Sequence, residues 1–178
     1  MFKQFYPDVR YDSVYEIDFE KYYEIGYRAL LFDIDNTLVE HDAKADESSA
    51  ALFGRLHDIG FKTCLISNND DGRVAPFAKA VGSGYICNAA KPDTSGIKKA
   101  LDMLNVSKDQ AMMIGDQLFT DMWSAKRAGI FALCTKRIAK DPIFYIRLKR
   151  LGEGIVLFFY NFYKLRHHSD MYLIGKKD

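Results

Sequence analysis

Four short clusters of polar residues stand out for their chemistry: Asp33-Ile34-Asp35-Asn36-Thr37, Ser67-Asn68-Asn69, Lys91-Pro92, and Gly115-Asp116-Gln117 followed by Thr120-Asp121. Three carboxylates brought together, Asp33, Asp35 and Asp116, repel one another strongly. A divalent cation resolves that repulsion, and hard oxygen ligands with retained waters suit Mg2+. A lysine and a hydroxyl in the same cavity complement a phosphate dianion. A carboxylate can itself attack phosphorus and form an aspartyl-phosphate. Together these groups describe a phosphoryl-transfer site, where positioning and charge neutralisation supply most of the catalysis.

The clusters share a setting: they fall where predicted strands give way to loops. Apolar runs predict strands over 29–34, 62–67, 85–87, 111–114 and 130–134. Amphipathic stretches predict helices over 46–59, 73–81, 94–104 and 120–128, with Gly60 and Gly82 ending the first two. A short helix over 18–25 precedes the first strand. Strands alternating with helices imply an α/β fold, a central parallel sheet with helices on both faces. Continuous apolar strands fit a sheet covered on both sides. In such sheets the ligand binds beyond the carboxyl ends of the strands, which is where the four clusters fall.

Composition narrows the function classes. With 178 residues, the chain fits one domain. Hydrophobic residues make up 48% and charged residues 28%, an ordinary globular balance that excludes disorder over the whole chain. The net charge of +1 gives no global pull toward nucleic acid. The charge is uneven, however. Residues 1–135 carry a net −5 and residues 136–178 a net +6. Cys64, Cys87 and Cys134 are widely spaced within apolar runs, which predicts buried, reduced thiols rather than disulfides or a zinc site and suits a cytoplasmic protein. The first residues lack the apolar core of a secretory signal. The longest strongly apolar run, 155–163, is far short of the roughly 20 residues a membrane span needs.

The spacing and order of the four clusters resemble the haloacid dehalogenase (HAD) superfamily in its phosphatase branch. Its signature DxDx[TV] matches residues 33–37, its strand-end Ser or Thr matches Ser67, its Lys matches Lys91, and GDxxxxD matches 115–121. The match covers roughly residues 28–135. The resemblance implies a Rossmann-like fold and the following roles. Asp33 is the nucleophile, and Asp35 the general acid and then the base that activates water. Ser67 and the Asn68 amide hold the phosphate, and Lys91 bridges the phosphate and Asp33. Mg2+ is held by Asp33, the Asp35 carbonyl and Asp116, with Asp121 supporting the metal site or Lys91 from behind.

Only 31 positions lead from Thr37 to Asn68 and 24 from Ser67 to Lys91. Neither gap holds a cap domain, so the site is expected to be open to a large or surface-presented substrate, or closed by another chain. Among capless members the chain is similar to the YqeG-type branch of subfamily IIIA, on DIDNTLV, ISNN, AAKP and GDQLFTD with AKRAG. That branch includes enzymes acting on phosphatidylglycerophosphate, an anionic phospholipid. The resemblance thus implies a phosphatase core over 1–140 with an N-terminal extension, and a basic, aromatic segment over 141–178 that is no separate domain. That segment, with Arg147, Lys149 and Arg150, reads either as a terminal helix packed on the body or as a peripheral contact with an anionic membrane. Gly152 and Gly154 are expected to interrupt it. The competing function is a non-enzymatic module using the basic segment on RNA or a ribosome-associated partner.

Other polar residues have simpler readings. Asn36 and Thr37 shape the turn after Asp33, Asn69, Asp70 and Asp71 form a turn and helix cap, and Gln117 starts a helix. His41 lies on the surface, His57 on a solvated helix face, and His167 and His168 lack acidic partners at ligand spacing. Trp123 is expected in the core.

Overall fold

The apolar strands pair into one six-stranded, all-parallel sheet in the computed structural model, which describes residues 2–140 and 144–166. The strands are β1 (Val9–Tyr11), β2 (Ala29–Phe32), β3 (Lys62–Ile66), β4 (Gly84–Ile86), β5 (Ala111–Gly115) and β6 (Phe131–Thr135), in the order β1-β6-β5-β2-β3-β4. The helices are α1 (Phe19–Glu24), α2 (Glu47–Ile59), α3 (Asp71–Val81), α4 (Ser95–Leu104), α5 (Trp123–Ala128) and α6 (Phe144–Arg166). Every residue of β2 and β5 is buried.

Side chains alternate across the strands, which divides the core in two. Leu30, Phe32, Leu65 and Ile114 face α2 and α3 and pack with Phe53, Phe77 and Phe19. Ala29, Leu31, Ile66 and Met113 face the other layer and pack with Ile97, Ala125, Val156 and Tyr160 from α4, α5 and α6. Residue chemistry sets the helix ends. Asp46 caps α2 in a reciprocal pair with Ser49, and Gly60 ends it at φ +107°. Asp70 accepts from the Arg73 amide and starts α3 two residues before the predicted position.

Between β2 and β3 the chain builds α2, and between β3 and β4 it builds α3. Among the described residues no cap domain stands over the carboxyl edge. In this strand order β2 connects to one side of the sheet and its neighbour β5 to the other. That is the switch point where open α/β sheets bind ligands.

Several expectations need correction. A sixth strand, β1, joins the sheet beside β6, with Val9 opposite Leu133. Three residues are too few to show a period. The expected helix over 120–128 opens instead with a wider π-helical turn, Leu118–Met122, and becomes α-helical at Trp123. Trp123 is only half-buried, edge-on to Phe5. Cys64 and Cys134 are buried, and burial pushes each thiol up to about 12. Cys87 lies just past β4 and is half-buried. Gly152 and Gly154 do not break α6. Glu153, Val156 and Tyr160 anchor the helix to the body, which offsets a helix penalty of about 1 kcal/mol per glycine. At Gly152 a Cβ would come within 3.1 Å of the Phe119 ring, so glycine allows the close approach. His167 and His168 lie outside the described residues.

Candidate active site

Asp33 is the first residue past β2, and its amide still donates to the Ile114 carbonyl of β5 at 2.9 Å. The chain then reverses. Asn36 adopts φ +62°, and its amide donates to the Val39 carbonyl at 2.7 Å. Asparagine tolerates that left-handed conformation better than most residues. Its side-chain oxygen accepts from the Ala139 amide at 3.0 Å, tying the turn to the segment after β6.

Lys91 stands at the centre, with its side chain 3% exposed. Its ammonium donates to Asp33 Oδ1 at 2.6 Å, Asp121 Oδ1 at 2.7 Å and the Ile66 carbonyl at 2.8 Å. Burial works against this charge, but Asp121 and Asp33 outweigh it and hold the ammonium above its usual range. The Lys91 backbone is clamped by Asn68, whose side-chain oxygen accepts from its amide at 2.7 Å. Ser67 is buried, and its hydroxyl oxygen accepts from the Asn69 amide at 3.1 Å.

Asp121 reaches Lys91 because of Gly115. A Cβ at Gly115 would lie 2.5 Å from the Asp121 carboxyl carbon, so only glycine lets that side chain lie across the end of β5. The second Asp121 oxygen accepts from the Gln117 amide at 3.0 Å. The π-helical turn thus carries Asp121 into the site.

Asp116 follows β5 directly. Its carboxylate pairs with Arg150 from α6, whose guanidinium also donates to the Asp116 carbonyl at 3.0 Å and to Glu153 at 2.9 Å. Glu153 in turn accepts from the Phe119 amide at 3.2 Å. The other Asp116 oxygen, Oδ1, is buried with no hydrogen-bond partner. Burial raises the Asp116 carboxyl well above its usual range; Arg150 opposes this, and Asp121 and Asp33 add to the rise.

Oxygens of Asp33, Asp116 and Asp121 all lie within 4.8 Å of one another. An all-oxygen set with an orphaned buried oxygen fits a hard divalent cation. The sequence reading grouped Asp35 with Asp33 and Asp116, but its carboxylate turns elsewhere. It accepts from Asn69 at 2.6 Å, from Arg73 at 2.9 Å and from the Asp42 amide at 2.9 Å. Only its main-chain carbonyl is left for the metal role the resemblance implied. Arg73, Arg150 and Glu153 were not singled out as site residues, and Asn69 was read as a turn. The one hint for Arg73 was its position just after the Ser67 cluster; Arg150 stood only among the basic residues of the last segment. His57 pairs with Thr63 at 2.9 Å, and His41 lies beside Asp42 at 3.4 Å, half-buried rather than on the surface.

The buried charge has a pH signature. Burial pushes the Asp33 carboxyl up to about 7; Lys91 pulls against it, and Asp121 and Asp35 reinforce it. The unfolded carboxyl titrates near 3.8. Between those values the folded state keeps a proton that the unfolded state has lost, so stability falls as pH rises. Metal-free protein should therefore melt lower at pH 8 than at pH 5.5, and Asp33→Asn should flatten that slope. Melts in chelator at both pH values check this, and equal slopes for the two proteins would contradict it.

The chain is similar to known proteins over most of its length. A family model for the haloacid dehalogenase-like hydrolases matches residues 39–129. The probable phosphatase YqeG of Bacillus subtilis is 31% identical over 88% of this chain and 92% of its own. Phosphatidylglycerophosphate phosphatase 1 of Arabidopsis thaliana is 24% identical over 84% of this chain, which spans 47% of that protein. Among solved structures, an uncharacterized protein from Listeria monocytogenes superposes with a TM-score of 0.51 at 17% identity, covering 65% of this chain and 85% of its own. That likeness concerns the fold alone.

Proposed function

Because the chain belongs to the haloacid dehalogenase-like hydrolases, in their YqeG-type subfamily IIIA branch, we propose that it hydrolyses a phospholipid monoester of the phosphatidylglycerophosphate type, with Mg2+ and an aspartyl-phosphate intermediate. The observation that carries the mechanism is the buried Lys91 bridging Asp33 and Asp121 beside Ser67. A binding-only protein has no use for that arrangement, because buried charge is costly unless it is matched.

An Asp33 oxygen attacks phosphorus, and the bond to the leaving oxygen breaks. Asp35 protonates that oxygen, then takes a proton from the water that attacks the phosphoenzyme. Inorganic phosphate leaves and Asp33 is regenerated. Lys91, the Ser67 hydroxyl and the Asn68 amide hold the phosphate oxygens, and Asp121 keeps Lys91 in place. Arg73 and Asn69 hold Asp35 until it exchanges them for the substrate. Asp33, the Asp35 carbonyl and Asp116 would hold Mg2+, which neutralises charge on the phosphoryl group.

Two observations support a lipid substrate. With no cap over the sheet edge among the described residues, a large substrate can reach the site. On α6, Leu151, Ile155, Phe158, Phe159 and Phe162 are exposed along one stripe. An exposed apolar stripe on a helix suits a bilayer surface, and one of the relatives named above is a phosphatidylglycerophosphate phosphatase. Among the described residues no helix is long and apolar enough to cross a membrane, so contact would be peripheral. Assay of the full chain with Mg2+ on vesicles carrying phosphatidylglycerophosphate, against soluble phosphomonoesters, tests the reading. Preference for the soluble esters would defeat it.

Mg2+ should also stabilise the protein without any turnover. A ligand at one hundred times its Kd contributes about 2.7 kcal/mol, or roughly 5–10 °C in Tm for a chain of this size. Asp116→Ala should lose that shift. Arg150 keeps Glu153 as a partner in the variant, so the fold should survive. An equal Mg2+ shift in both proteins would remove Asp116 from the metal site.

A further inference from the structure

Beside Asp116 lies a cavity of about 210 Å³ between α6 and the edge where β1 meets β6. Its wall includes Arg10 from β1, Thr135 at the end of β6, Lys136 and Arg137 just beyond, and Arg150 and Glu153 from α6. Asp116 and Glu153 are both engaged by Arg150. Arg10 and Lys136 add two more positive groups, so the lining is cationic on balance.

Two buried donors mark where a ligand would sit. Arg10 Nε and Thr135 Oγ1 have no hydrogen-bond partner, and Thr135 is 2% exposed. Buried polar groups are rarely left this way. An N–H and an O–H without partners, on two residues of a wall rich in cations, call for an acceptor with several oxygens and negative charge. The reacting phosphate belongs at Lys91 and Ser67, which do not line this cavity. A second anion, on the other side of Asp116, would fill it.

We propose that the cavity binds a second anionic group of the substrate, a phosphodiester joined to the reacting phosphomonoester by a short polyol. This deepens the lipid reading above and rests on it. It makes Arg10 and Thr135 specificity residues. They select monoesters that carry a neighbouring diester, and they take no part in bond breaking. The Asp116–Arg150 pair then separates the two phosphates, with Lys91 beside the reacting one and Arg150 beside the other.

The test pairs binding with kinetics on the full chain. The binding probe is glycerophosphoglycerol, a phosphodiester with no monoester to hydrolyse. At millimolar concentration it should raise the melting temperature of wild type but not of Arg10→Gln/Thr135→Val. Lys136→Gln changes only an exposed side chain, and it should weaken the shift even if the double variant folds poorly. In kinetics, the double variant should raise KM for the soluble deacylated substrate glycerophosphoglycerophosphate about tenfold or more, in line with losing a charge-assisted hydrogen bond, with kcat near wild type. Turnover of para-nitrophenyl phosphate should stay within about twofold of wild type. Equal losses on both substrates, or a diester shift that the variants retain, would overturn the proposal. So would an Arg10-dependent shift with sulfate and none with the diester, which would assign the cavity to a free anion. If wild type hydrolyses no lipid monoester, the substrate reading falls, yet the diester melt still tests the cavity by itself.

Discussion

Asp33→Asn should lower phosphatase activity by about 10⁴-fold or more while leaving the fold intact. The amide is nearly the same size as the carboxyl but cannot attack phosphorus. The amide oxygen can still accept from Lys91, which loses a charged partner but keeps Asp121 and the Ile66 carbonyl. The substitution also removes a carboxylate whose burial is unfavourable, so the variant should melt no lower than wild type in chelator above pH 7. Turnover of para-nitrophenyl phosphate with Mg2+ and a melt followed by circular dichroism give both readings. Wild-type turnover in a well-folded variant would end the nucleophile assignment.

Lys91→Met should be harmful in two ways at once. It removes the cation that holds the phosphate, and it leaves Asp33 and Asp121 facing one another with little access to water. Stripping the partner from a buried ion pair typically costs about 3–5 kcal/mol. Adding Asp121→Asn takes away one of the stranded charges and should restore part of that stability, while activity stays lost. Urea titrations of wild type, both single variants and the double variant measure the coupling. Strict additivity would show that Lys91 and Asp121 do not share charge in solution.

The sheet and its active edge were legible because their signals are local. ALLF, TCLI and AMMI are short apolar runs closed by polar residues, and a buried parallel strand needs little more. Asp33, Ser67, Lys91 and Asp116 follow such runs directly or after a short loop, so sequence position also gave their place in space. What stayed hidden depends on pairings across the fold. Arg73 reaches Asp35 from 38 residues away, and Arg150 reaches Asp116 from 34. A single arginine in a basic segment carries no mark of the acid it will meet. Asp35 was grouped with the other acids because strand-end carboxylates two residues apart can share a cavity; the turn at Asn36 and the docking of α3 sent its side chain elsewhere.

The pairing of β1 with β6 sets an order for the growing chain. The Asp8 side chain accepts from the Ala132 amide at 2.8 Å, across 124 residues, and also pairs with Lys126. At about 5–20 residues per second, the first strand waits roughly 6–25 s after synthesis before its partner exists. Closing so long a loop costs entropy that three strand residues cannot repay alone, so the central strands must assemble before β1 docks. Until then β6 presents an open edge to other chains. A copy in which β1 has not yet docked therefore shows the five-residue edge of β6 that β1 covers in the finished sheet.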